Sequence, residues 1–213
     1  MRKNNLFFYA AFLFAAMIFV SGCKDNKDNP VTPTNEGAKS YNIQFIDATS
    51  YGDVWTYFNL EEGKVVEVKE DEHFNNKSWD IAFNRYNVRT NGGTSGAGNG
   101  GAYDMGQVEM NSVAKVPDDI NLVVDSTWSI VGDISSMPPS YISSTANPLL
   151  SKAISSAGMP PSYVSDEHVY IVKTASGKWA KLIFTSYYND ELPAKSGYIS
   201  FDYVIQTNGG KEF

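Results

Sequence analysis

The chain has 213 residues, 17 Lys and Arg against 24 Asp and Glu, and a formal net charge of −7, with one cysteine and two histidines. So acidic a chain is repelled by polyanions at long range, which argues against nucleic acid and bare anionic lipid as partners. A single cysteine excludes an intrachain disulfide, and two scattered histidines cannot by themselves make a zinc site.

In chain order, the first signal is an export signal. Arg2 and Lys3 precede an almost wholly apolar run over residues 6–20, and Val20-Ser21-Gly22-Cys23 closes it with small residues and the cysteine. The run is shorter than the roughly twenty residues of a membrane span, so the pattern predicts a lipoprotein signal peptide over residues 1–22 with Cys23 as the acylated first residue. Removing that segment takes the balance from 17 basic against 24 acidic to 15 against 24, or −9, which leaves acylation as the expected membrane attachment. Residues 23–39 are polar, begin Lys-Asp-rich and contain Pro30 and Pro33 without hydrophobic periodicity, so a flexible tether is expected there.

Residues 40–213 suffice for one domain with a proper core. Abundant aromatics (13 Tyr, 12 Phe, 4 Trp), short β-branched runs and recurrent Gly or Asn-Gly punctuation predict an all-β, antiparallel fold. Strands are expected over 40–47, 55–60, 64–68, 79–87, 102–111, 126–130, 168–174, 179–188 and 197–206. Over 79–84, Trp79, Ile81 and Phe83 alternate with Asp80, Ala82 and Asn84, the pattern of a strand with one buried face. Asn147 can cap a short helix beginning at Pro148, with Gly158 as its left-handed end. The glycine-rich stretch 92–106 has Gly-x-Gly spacing but lacks the Gly-Lys-Ser/Thr ending and a following helix, so a mobile hairpin loop is expected rather than a phosphate cradle. No His-Glu-x-x-His or Gly-x-Ser-x-Gly motif is present, and the chain is not expected to be an enzyme.

Residues 134–164 depart most from strand patterning and contain a duplication. Ser136-Met137-Pro138-Pro139-Ser140-Tyr141 is echoed by Gly158-Met159-Pro160-Pro161-Ser162-Tyr163. In each copy the prolines stiffen the chain just after a methionine, so the loop can hold a thioether in one place.

WTYFNLEEGKVVEV (55–68), WDIAFNRYNVRTNGG (79–93), GGAYDMG (100–106), VYIVKTASGKWAKLIFTSY (169–187) and GYISFDYVIQ (197–206), in that order, resemble the HmuY family of haem-binding surface lipoproteins. The resemblance runs from about Tyr41 to the C-terminus. It implies a HmuY-like antiparallel β-sandwich with one or two short helices. It also implies a haemophore of the outer membrane, facing the cell exterior, that binds haem b (iron protoporphyrin IX) as cargo without covalent attachment. Host haemoproteins would be the source, a TonB-dependent outer-membrane haem receptor the recipient, and a homo-oligomer an expected assembly. Family members grip the iron through two axial residues on loops, histidine in some and methionine in others. His73 and His168 do not look like the family's histidine pair, so Met137 and Met159 are the expected axial ligands, thioether sulfur being a soft neutral ligand for haem iron. His168, Met105 and Met110 stand in reserve. Tyr141 and Tyr163 are expected to stack on the macrocycle, and Arg85 and Arg89 are candidates for its propionates. A surface glycan-binding or adhesive lipoprotein is the competing reading; the glycan-binding one requires Trp55, Trp128 or Trp179 to lie flat on the surface.

Overall fold

Aromatic and β-branched residues crowd the last third of the chain, and there they form the longest strands, β12 (Trp179–Asn189) and β13 (Lys195–Gln206). The computed structural model describes residues 37–191 and 195–213, within a unit spanning Asn35–Phe213. The signal peptide, Cys23 and nearly all of the expected tether therefore lie outside the described residues. Among those described, no helix is long and apolar enough to cross a membrane.

Strands β1 (Ala38–Asp47), β6 (Gly101–Asp104) and β11 (Tyr170–Lys173) join β12 and β13 in a five-stranded antiparallel sheet of order β1-β13-β12-β11-β6. Strands β2 (Thr56–Asn59), β3 (Lys64–Val66), β4 (Ile81–Asn84) and β5 (Asn87–Thr90) make a four-stranded sheet of order β3-β2-β4-β5. The inner faces of the two sheets share one core: Phe58, Leu60, Ile81 and Phe83 from the smaller meet Leu182, Phe184, Phe201 and Tyr203 from the larger. Phe58 and Phe201 pack edge-on at 5.5 Å, and burying each such ring contributes about 1.5–3 kcal/mol. Asp80 ties the two halves, its carboxylate accepting from the backbone N–H of Leu60 at 2.8 Å and of Ala175 at 2.9 Å.

The all-β antiparallel fold is as expected, and several local expectations need correction. The single strand over 79–87 is the hairpin β4–β5, with Arg85 and Tyr86 as its two-residue turn and Arg85 at φ 53°. All four residues of β4 are buried, not alternate ones, because Trp79 and Ala82 pack into a second apolar cluster on the other side. The region 134–164 holds three unanticipated strands, β8 (Ser140–Ala146), β9 (Ile154–Ala157) and β10 (Ser162–Ser165). Strand β7 (Ser126–Asp133) pairs with β8, and β9 pairs with β10, as two antiparallel hairpins. The expected helix after Asn147 shrinks to one 3-10 turn, Leu150–Lys152, whose N-cap position is Leu149; the Asn147 side chain still accepts from the N–H of Leu149 and Leu150 at 3.2 Å. Gly158, at φ 83°, turns the β9–β10 hairpin instead of ending a helix. The glycine-rich loop is folded against Asn91: a side chain at Gly96 would collide with the Asn91 amide oxygen at 2.1 Å and one at Gly92 with the Gly100 carbonyl at the same distance. Its glycines serve close packing, and the expected mobile loop is a compact one.

Candidate functional site at two hairpin tips

The duplicated hexapeptide forms the tips of two β-hairpins. In the β7–β8 hairpin, Asp133 pairs with Ser140 and residues 134–139 form the tip. In the β9–β10 hairpin, Ala157 pairs with Ser162 and residues 158–161 form the tip. Each tip carries Met-Pro-Pro with a cis Met–Pro peptide, and each opens its second strand with Ser-Tyr, which sets Tyr141 and Tyr163 at matching places. Met137 is 85% and Met159 91% exposed, although an apolar side chain of that size normally lies inside. Tyr141, at 64%, is exposed as well.

The roots of the hairpins are firmly held. Ile130 and Ala146 of the first pack with Trp55, Tyr57 and Trp79. Arg89, only 2% exposed, lies over the Trp55 ring at 4.0 Å and donates to the Thr145 carbonyl at 3.0 Å, the Ser144 hydroxyl at 2.9 Å, Glu70 at 2.7 Å, Asp53 at 3.1 Å and the Tyr57 hydroxyl at 3.2 Å. Burial would raise the Asp53 carboxyl, but hydrogen bonds from Ser144 and Trp55 and the Arg89 charge hold it below its usual value. Arg89 is thus committed to anchoring the first hairpin and is not available to a ligand. The second hairpin docks on β12, where the Ser165 hydroxyl donates to the Phe184 carbonyl at 2.8 Å and the Tyr188 hydroxyl receives the Tyr163 N–H at 2.8 Å.

A cluster of tyrosines lies beside these roots. Tyr163 contacts Tyr187 at 4.5 Å between ring centres, Tyr86 at 6.1 Å and Tyr188 at 6.2 Å; Tyr86 and Tyr187 are 6.3 Å apart. Burial raises the Tyr86 hydroxyl, and the phenols of Tyr141 and Tyr163 add to the shift, which links Tyr86 electrostatically to both hairpins; the Arg85 charge opposes it. Burial likewise raises Tyr187 against the Arg85 charge. At neutral pH the Tyr86 and Tyr187 phenols therefore stay protonated and offer O–H donors rather than phenolate. Tyr163, Tyr187 and Tyr188 of the cluster also line a groove of about 930 Å³ between β10, the second half of β12 and the 107–110 connection.

Met137, Met159, Tyr141 and Tyr163 lie on the two hairpins, and the reserve residues lie off them. Met105 and Met110 are partly buried against the cluster of Val113, Val116 and Trp179, and Met110 also lines the groove. His168 lies at the mouth of β11, its Nδ1 3.0 Å from both Asp104 carboxylate oxygens; that hydrogen bond, with the charges of Asp166 and Asp104, raises its pKa. His73 packs beside Tyr57 and Trp79, paired with Glu70 at 3.6 Å. Among the described residues, no group of three or more His, Cys, Asp or Glu side chains is placed to hold a metal ion. Sequence reasoning missed Tyr51, Tyr86, Tyr187 and Tyr188. Simple alternation sets Tyr187 and Tyr188 on opposite faces, but irregular register between Phe184, Ser186 and Tyr188 brings both to the cluster. Trp55 and Trp179 are buried, and Trp128 is part-buried with its N–H bonded to Asn87 at 3.0 Å, so the flat sugar platforms that the glycan reading requires are not formed by these residues.

Comparison with solved structures places this arrangement in a known fold. The apo HmuY analogue of Tannerella forsythia is 25% identical, with a TM-score of 0.62 over 79% of this chain and 97% of that one. A candidate HmuY-like haem-binding protein of Bacteroides vulgatus is 28% identical, with a TM-score of 0.60 over 78% and 91%. A candidate lipoprotein of Bacteroides fragilis is 28% identical, with a TM-score of 0.59 over 81% and 91%. No curated protein matches the chain. The profile of the HmuY protein family matches residues 50–203, a span that takes in the four-stranded sheet, the five-stranded sheet except β1 and the end of β13, both hairpins and the tyrosine cluster, and the chain belongs to the HmuY family.

Proposed function

We propose that this protein is a lipid-anchored surface haemophore. It captures haem between its two Met-Pro-Pro hairpins, with Met137 and Met159 as axial ligands, and passes it to an outer-membrane haem receptor. The observation that carries the reading is the pair of Met-Pro-Pro tips, each holding a thioether in solvent on a braced root. An exposed methionine forgoes the free energy of burial, and a flat apolar ligand spanning both tips would restore it. Haem meets that need and adds an iron for which two soft, neutral sulfur donors are suitable ligands. Tyr141 and Tyr163 supply faces for the macrocycle, one from each hairpin. Because the ligands are neutral and no covalent attachment motif is present, capture is reversible, as delivery to a receptor requires.

Family membership supports haem as the ligand, the Bacteroides vulgatus relative being described as haem-binding. Acylation at Cys23 and attachment to the outer membrane rest on the sequence of residues 20–23 and on the description of the Bacteroides fragilis relative. Haem titration of the purified protein, followed by absorbance before and after dithionite, tests the reading. Saturable one-to-one binding with a low-spin Soret band and sharp reduced α and β bands is expected. A featureless, non-saturating titration would remove haem capture and send the search to glycans.

A further inference from the structure

We infer that Arg85 and Tyr187 together form a receptor for a free carboxylate, so that the site selects tetrapyrroles bearing ionised carboxylate side chains. This rests on the haem reading above and names the class of tetrapyrrole within it.

The two arginines of the 85–89 segment have opposite fates. Arg89 is surrounded by five acceptors. Arg85 is half-buried, and its only side-chain hydrogen bond to a described residue is a long one, Nη1 to the Thr49 carbonyl at 3.4 Å. No carboxylate of the described residues lies within ion-pair distance of it. Its guanidinium is nonetheless well placed, 4.8 Å from the Tyr51 ring centre and 5.8 Å from that of Tyr187. Gly197 leaves room for it: a side chain there would come within 2.9 Å of Nη1. A guanidinium has five N–H donors in a rigid fork, so most of its donor capacity faces no protein acceptor.

Tyr187 presents the same deficit independently. It is 2% exposed, and its hydroxyl is buried with no hydrogen-bond partner. Buried hydroxyls almost always find a partner, and leaving one unmet costs free energy. A fork of N–H groups and an orphan O–H in one cluster are complementary to an acceptor-only anion, and a carboxylate fits the fork bidentately. Arg85 also sits at φ 53°, a conformation that disfavours a bulky side chain and that glycine adopts freely. The turn would be easier to make without arginine, so its presence is better explained by its side chain than by the turn.

The test titrates the purified protein with iron protoporphyrin IX and with its dimethyl ester, using the wild type, Arg85→Gly and Tyr187→Phe. Glycine suits φ 53°, so Arg85→Gly should melt at or above the wild-type temperature, which separates a lost ligand contact from a lost fold. Arg85→Gly should weaken the free acid about tenfold or more and leave the ester unchanged. Tyr187→Phe should do the same to a smaller degree, and bound haem should keep its low-spin spectrum in both variants. Equal wild-type affinity for acid and ester, or unaltered affinity for the acid in Arg85→Gly, would overturn the carboxylate receptor while saturable low-spin binding left haem capture standing. No saturable binding of either tetrapyrrole would overturn both.

Discussion

The segment from Trp79 to Asn91 and the two Met-Pro-Pro tips are equally conspicuous in the sequence, and their environments are opposite. In the first, nearly every polar group is engaged within the protein: the Trp79 N–H donates to the His73 carbonyl at 3.0 Å, Asp80 accepts from both halves of the sandwich, and the Asn84 amide donates to the Gly52 and Val54 carbonyls. In the second, thioethers stand in water. The difference teaches that a family-typical stretch can be typical because it builds the frame. Arg85, at its turn, is the exception, its half-buried guanidinium making one long hydrogen bond, to the Thr49 carbonyl at 3.4 Å.

Substitutions break or sharpen this contrast, and the largest effect belongs to the frame. Trp79→Ala should cost about 3–5 kcal/mol in urea denaturation, since it empties a fully buried site; a cost below about 1 kcal/mol would remove the segment from the core. Asp80→Asn should cost about 1–3 kcal/mol, because an amide offers one acceptor oxygen to the two backbone N–H groups that the carboxylate satisfies. Met137→Ala and Met159→Ala should each leave stability within about 0.5 kcal/mol of the wild type, and a larger loss would mean that the tips are packed against something.

The frame should also reveal itself through pH. Burial pushes Asp80 up to about 6, although the Ala175 and Leu60 N–H groups oppose it, and burial pushes Asp125 up to about 6 against its bonds from Thr90 and Asn147. Each group binds its proton more tightly folded than unfolded. Between about pH 4 and pH 6 the native state therefore holds more protons, and these two groups make stability fall as pH rises, with no further change above about pH 6. His168, also raised, adds a small decline as pH passes its elevated value. Melting temperatures across this range should fall and then flatten; a steady rise would contradict the assignment. Replacing Asp80 should shrink the decline, whereas replacing either methionine should leave it intact.

Much of this was legible in the sequence. Alternation and aromatic content gave the all-β class and most strands of the two sheets, and the duplicated hexapeptide marked both tips. The β4–β5 hairpin was hidden because its turn is Arg85-Tyr86, which carries no glycine or Asn-Gly signal. Strands β8, β9 and β10 were hidden because serine and threonine dominate strands that are largely exposed and lack an alternating apolar face. The tyrosine cluster joins Tyr86, Tyr163 and the Tyr187-Tyr188 pair, which are far apart in sequence, and depends on an irregular strand that no period describes. Arg85 and Arg89 read alike in sequence; only tertiary contacts separate the anchor from the arginine that has no carboxylate partner among the described residues.

The central claim is that the two exposed thioethers together bind the iron. The most direct measurement is the near-infrared and visible spectrum of the ferric haem complex in the wild type, Met137→Ala, Met159→Ala and the double variant. The account predicts a sulfur-to-iron charge-transfer band and a low-spin spectrum in the wild type, a changed spin state in each single variant, and loss of both features in the double. Wild-type spectra in both single variants would contradict it.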